Sequence, residues 1–261
     1  MLMSKKQPLV GFERYVELDW LDQTARWVID GKPAKDVHDL IDEYLDLLIN
    51  GATSKRKTKN VLSGAWVKSN TENEVFKMQA RGLFLDATKE EKLAIHYGMF
   101  IASYPFFFSL SKILGRLFKL QDEITNAEFY RRVIETVGDR ESIKRAAARY
   151  LQSLIEWGVL ELAGKAVVKP AAKIQLNNSE LITWLYSAVL FTSGKERLSI
   201  DDITSDPVWF PFEISHGYFK VQDSDVIEVV HQGVGSTLIA LKSATKNSSE
   251  GFQGDGGPGL H

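Results

Sequence analysis

The chain contains no cysteine. Disulfides, zinc–thiolate centres and cysteine nucleophiles are therefore excluded outright. No GxxxxGK[ST] loop, HExxH pair or GxSxG elbow occurs in its 261 residues. The commonest signatures of nucleotide hydrolysis, zinc proteolysis and serine hydrolysis are thus missing. Neither sign of charge dominates, because 32 Lys/Arg stand against 34 Asp/Glu, a net charge of −2. Total charge does not announce a nucleic-acid partner. Residues 1–8 are polar and basic with no apolar stretch behind them, unlike a secretory signal. Together these absences lead us to expect a cytoplasmic protein with no catalytic centre, no metal and no cofactor.

What is present is ordinary for a soluble chain, with 44% hydrophobic and 25% charged residues. The length suits two or three small domains. Residues 93–111 carry no Asp, Glu, Lys or Arg. A membrane helix needs roughly 20 apolar residues, and Pro105 would break this run near its centre. The run reads as two buried helices meeting at Pro105, with no membrane span.

The first hundred residues read as all-helical. A broad apolar face (Val16, Trp20, Ala25, Trp27, Val28) predicts a helix over 15–29. A second helix over 34–49 sets Val37, Leu40, Ile41, Tyr44, Leu45 and Leu48 against Asp36, Asp39, Asp42, Glu43 and Asp46. Its acidic face is either solvated surface or a dock for a basic partner, and Asn50-Gly51 reads as its stop. Next comes SKRKTKN, which is expected to open a helix running through Val61, Leu62, Ala65, Trp66 and Val67; Lys55, Arg56, Lys57 and Lys59 are either phosphate contacts or an exposed loop. Helices are predicted over 74–85 and 89–103.

The stretch 105–176 is the most informative. A helix over 106–121 is followed by the short extended piece Asp122-Glu123-Ile124. Thr125 with Glu128 three residues on resembles a capping box and opens a second helix. Gly138 closes that helix, and Asp139 is placed to cap a third, over 140–157. Gly158 ends it. Alternating residues around Ala163-Gly164-Lys165 then predict a hairpin, with a further extended piece over 173–176. Helix, short strand, helix, tight turn, helix, hairpin is the order of a winged helix-turn-helix, whose third helix enters the DNA major groove. On a wheel of 100° per residue, Ile143, Ala147, Tyr150, Leu151, Leu154 and Trp157 face inward. Lys144, Arg145, Ala148, Arg149, Gln152 and Ser153 face outward. Arg and Gln can read base edges, and Lys can hold phosphates. Arg140 starts the helix, and Lys165 with Lys169 on the wing suits a phosphate clamp. The segment 112–173 holds twelve Lys/Arg against eight Asp/Glu, so the cations gather where this reading needs them.

Residues 177–242 read as a small α+β region. A helix spans 179–191, a strand and a helical turn follow at 198–203, and three alternating runs at 218–221, 226–231 and 237–241 predict an antiparallel sheet. The Ser-, Gly- and Asn-rich tail, 243–261, is expected to be disordered. The fold class expected is mainly α (α+β): a helical N-terminal domain over 1–103, a central winged helix-turn-helix over 104–176, the small C-terminal α+β domain over 177–242, and the tail.

Few other residues suggest chemistry. His38, His96, His216, His231 and His261 lack ligand spacing. His231 reads as a turn residue and Gly233-Val234-Gly235 as a turn. Asp201, Asp202 and Asp206 suit either caps or a divalent ion.

With these elements placed, the layout over residues 10–170 resembles the BrxA family of the bacteriophage-exclusion (BREX) defence systems. The features that carry the resemblance are the all-helical start, the basic stretch before a helix at 54–67, the uncharged run 93–111, and a winged helix ending in LIEWGVL at 154–160. The resemblance implies a soluble, non-enzymatic protein of an antiviral operon that binds double-stranded DNA, with other defence proteins as further partners. The alternatives of the same fold are a transcriptional regulator and a scaffold whose winged helix docks protein.

Overall fold

A computed structural model describes residues 11–69, 73–214, 221, 224–232 and 236–242. The first segment is helical throughout: α1 (Leu18–Ile29), α2 (Ala34–Asp46), α3 (Ala52–Trp66), α4 (Glu74–Leu85) and α5 (Lys89–Ser103). α2 stops a turn earlier than its apolar spacing predicts, and Leu47 and Leu48 lie exposed beyond it. Gly51 does not end α2. It adopts φ 96° and starts α3, a backbone conformation that favours glycine.

The uncharged run has a simple explanation. α5 buries nine consecutive residues, Leu93 to Ile101. A helix that is apolar on every side belongs at the centre of a fold, and α5 packs against α1, α3 and α4 and against the later helices at Pro105–Phe118 and Ser179–Ser193. Thr88 and Glu91 cap its N-terminus reciprocally, which is worth about 1 kcal/mol. Tyr104 is extended, as a residue before proline prefers, and Pro105 takes the first position of α6 (Pro105–Phe118). The axes of α5 and α6 bend by 116° at this break. Among the described residues, no single helix is long and apolar enough to cross a membrane.

After α6 the chain forms β1 (Ile124–Thr125), α7 (Asn126–Val137), α8 (Glu141–Glu156), β2 (Leu160–Gly164) and β3 (Val167–Pro170). β3 pairs antiparallel with both β1 and β2, in the order β1-β3-β2. Val168 stands opposite Ile124 on one side and Leu162 on the other. Thr125 accepts the Glu128 N–H, but only half of the expected box forms, because the Glu128 carboxylate takes the Gln121 amide instead. Gly138 (φ 101°) and Gly158 (φ 70°) end α7 and α8. Tyr150 of α8 is buried between Phe107 and Phe129, and its hydroxyl donates to Ser111 Oγ at 2.9 Å. That single ring joins α6, α7 and α8.

The last part contains β4 (Ile174–Leu176), α9 (Ser179–Ser193), β5 (Arg197–Ser199), α10 (Ile200–Thr204), a 3-10 turn at Pro207–Trp209, β6 (Phe212–Ile214), β7 (Ile227–Gln232) and β8 (Ser236–Leu241). β5, β8 and β7 form an antiparallel sheet in that order, while β4 and β6 pair in parallel. The expected strand at 218–220, the turn at 233–235 and the tail 243–261 lie outside the described residues. Val221 is described and is not in a strand. α9 is the second helix buried all round, from Leu181 to Leu190, and it packs on α4 and α5. It crosses α5 closely at Gly98, where a Cβ would lie 2.5 Å from the Trp184 ring. Trp184 is in turn stacked on Phe76 and donates its Nε1–H to the Phe76 carbonyl. One continuous hydrophobic core runs from Phe12 to Ile239. The fold is mainly α (α+β), with ten helices and three small sheets among the described residues.

Candidate nucleic-acid interface

The eleven residues singled out from the sequence fall on two separate surfaces. Lys55, Arg56, Lys57 and Lys59 lie within α3, the helix this stretch is expected to open. Lys55 pairs with Asp46, Lys59 with Asp42 and Lys57 with Glu13. The acidic face of α2 and the basic face of α3 thus meet each other within the chain. Two neighbouring helices of opposite charge, joined by a short link, carried this signal in the sequence. Arg56 is exposed and has no ion pair among the described residues. The first cationic stretch is therefore mostly neutralised.

The second surface is built on α8 and the hairpin. Ile143, Ala147, Tyr150, Leu151, Leu154 and Trp157 are buried, as the wheel requires. Arg145, Arg149 and Gln152 are exposed on the opposite side, and Lys144 and Ala148 are half-buried. Ser153 departs from the outward set. It is fully buried and its Oγ accepts the Val16 N–H at 2.9 Å. Glu156 accepts the Leu18 N–H, and Trp157 donates its indole N–H to the Val16 carbonyl. The segment before α1 is thereby bonded to the last turn of α8, a long-range contact that spacing along α8 cannot reveal. The open face consists of the first three turns of the helix.

Asp139 does not cap α8, whose N-cap is Arg140 with no side-chain bond. Instead Asp139 pairs with Lys144 at 2.9 Å and, chiefly through that hydrogen bond, holds its ammonium above the ordinary lysine value. Arg145 stands 3.9 Å from Glu141, with both side chains 73% exposed. Lys169 pairs across the hairpin with Glu161 at 3.1 Å. Exposed pairs of this kind are weak and screened by solvent, so a phosphate can displace them. Arg140, Arg149 and Lys165 are exposed and pair with no carboxylate among the described residues. Lys165 occupies the hairpin turn beside Ala166, whose φ is +60°. The turn is tied to the start of α7, because the Asn126 N–H donates to the Ala166 carbonyl at 2.9 Å. Leu162 on the same hairpin is 64% exposed.

The other chemistry-bearing residues are occupied elsewhere. His96 is buried, and burial lowers its pKa. Its Nδ1 accepts from Trp66 Nε1 at 3.0 Å, so Nε2 carries the proton and donates to Asp22 at 2.8 Å. With both ring nitrogens engaged, this histidine has no lone pair free for a nucleophile or a metal. His231 lies in β7, opposite Thr237, and is not a turn residue. Asp206 caps the 3-10 turn through the Val208 N–H and pairs with Lys112. Asp201 and Asp202 sit in the first turn of α10, which Ser199 caps. Among the described residues, no three His, Asp or Glu side chains form a metal-binding group. His216 and His261 lie outside the described residues.

No protein-family model matches the chain, and no curated protein or solved structure is significantly similar to it.

Proposed function

We propose that residues 105–170 form a winged helix-turn-helix that binds double-stranded DNA, with α8 in the major groove and the β2–β3 hairpin as the wing. The observation that carries this reading is the coincidence of two independent features. The element order and the β1-β3-β2 pairing support that reading. Arg140 and Arg149 on the third helix and Lys165 on the hairpin turn are exposed and pair with no carboxylate among the described residues. The resemblance to BrxA proteins adds a role as a non-enzymatic, cytoplasmic component of anti-phage defence. A transcriptional regulator with one tight operator is the alternative within the same chemistry.

The test is duplex binding as a function of salt, for wild type and for an Arg140→Ala/Lys165→Ala variant. Each phosphate contact contributes about −0.9 to the slope of log affinity against log salt. The double variant should therefore lose about 2 from that slope and bind all sequences more weakly. Absence of duplex binding at low ionic strength, with the helical circular dichroism intact, would overturn the proposal.

A second reading is favoured by one feature, the exposed Leu162 on the hairpin. An apolar residue on a wing suits a protein partner as well as a base step. If the module docks protein, Leu162→Asp abolishes capture of the partner while the salt slope on DNA stays flat. If it binds DNA, Leu162→Ala changes affinity by less than about tenfold, because the phosphate contacts dominate.

A further inference from the structure

The exposed side chains of α8 are not equivalent. Lys144 and Arg145 are each matched by a carboxylate one turn away or just before the helix. Arg149 is bonded to a neutral partner instead: its Nη1 donates to Gln152 Oε1 at 2.7 Å. The two residues are three apart on one helix face, so the bond spans adjacent turns. It fixes one edge of the guanidinium and leaves the full charge uncompensated. A guanidinium has five N–H donors in a rigid fork, and among the described residues only one is used. Four remain, enough for a bidentate contact with a second partner.

The same bond constrains Gln152. Glutamine reads adenine by accepting from N6–H and donating to N7. Here its acceptor oxygen is already turned to Arg149. The pair therefore favours a base edge that offers two acceptors side by side. In the major groove that edge is guanine O6 and N7. Ala148, beside Arg149 on the same helix, presents only a methyl group, so the groove floor can approach without obstruction.

We infer that Arg149 reads a guanine in the major groove and that Gln152 is a positioning residue that holds the guanidinium for it. The inference rests on the DNA-binding reading above and gives it a sequence preference. Phosphate contacts would fall to Arg140 and Lys165, and base discrimination to Arg149.

The experiment uses the full chain and a pool of duplexes with a randomised central stretch. Wild type should enrich duplexes sharing one guanine position. Replacing that guanine by 7-deazaguanine, which lacks the N7 acceptor, should weaken binding on the order of tenfold. Arg149→Lys preserves charge and should keep the salt slope while weakening the guanine preference, because an ammonium lacks the planar fork. Gln152→Ala should keep the slope and narrow the preference about threefold, the effect of losing one positioning hydrogen bond. A purely structural role for Gln152 would leave the preference untouched. Salt-dependent binding without guanine enrichment, or no effect of 7-deazaguanine, overturns this inference and leaves the DNA-binding reading standing. No binding to any duplex overturns both.

Discussion

Gly115→Ala is expected to lower stability by about 1–3 kcal/mol, although alanine is the better helix former. Gly115 lies in α6, where it faces the backbone of the 3-10 turn. A Cβ built there would lie 1.9 Å from the Pro207 carbonyl oxygen and 2.8 Å from its carbon. Both are backbone atoms, so no rotamer change relieves the contact. The turn cannot retreat freely. Asp206 is held by Lys112, and Tyr97 donates to the Val208 carbonyl at 2.9 Å. Trp209 donates its indole N–H to the Ile203 carbonyl. α6 would have to part from the turn, exposing Val208 and Trp209, which are buried. The gain of about 1 kcal/mol from helix propensity is too small to offset this. Gly82 in α4 supplies the control, since nothing lies within 4 Å of a Cβ built there. Gly82→Ala should stabilise by about 0.5–1 kcal/mol. Urea midpoints of the two variants should therefore move in opposite directions. If Gly115→Ala also stabilises, the close approach of α6 to Pro207 is wrong.

The parts of this fold that were legible in the sequence are those governed by local rules. α4 and α5 begin and end where the periodicity places them, and Pro105 divides the uncharged run as proline's geometry demands. The series from α6 to the hairpin was readable because caps, glycines and a change of period mark each boundary. What escaped was set by distance along the chain. Ser153 looks outward on a wheel, yet the segment near Val16, 137 residues away in sequence, covers it. Nothing at 174–176 shows that its strand partner lies 38 residues on, at 212–214, and runs parallel. The cations on the candidate interface were visible, but the pairing of half of them with Asp139, Glu141 and Glu161 was not. Asp139 was expected to cap because its position suits a cap, and a lysine five residues on competes for it.

Lys77 carries no sequence signal at all, yet the second large effect belongs to it. It lies on α4 among apolar positions and is only 1% exposed. Its Nζ donates to the carbonyls of Gly64, Ala65 and Lys68. These acceptors lie at the C-terminal end of α3, where backbone carbonyls lack helical partners and the helix dipole favours a cation. Burial, helped by Arg81 and opposed by Glu74, pushes the ammonium down from 10.5 to about 8. Holding it charged at neutral pH therefore costs roughly 3 kcal/mol. Removing it leaves three carbonyls without their donor, at about 1–3 kcal/mol each, so the loss outweighs the relief. Lys77→Met, which keeps the apolar stem, should destabilise by about 2–4 kcal/mol at pH 7. The pH dependence has a definite sign. Below pH 8 the side chain is protonated in both states and the burial cost is fully present. Between pH 8 and 10.5 the folded amine releases its proton while the unfolded one keeps it. The unfolded state then binds more protons, so stability rises with pH across that window. The methionine variant has no such group, so the advantage of wild type over it should widen from pH 8 towards 10.5, by up to about 3 kcal/mol. Urea denaturation of both proteins at pH 7, 8.5 and 10 measures this difference directly. A gap that stays constant would mean that the carbonyls hold the ammonium as well as water does. A gap that narrows would mean that they hold it better, and that α3 is clamped by a charge that burial does not penalise.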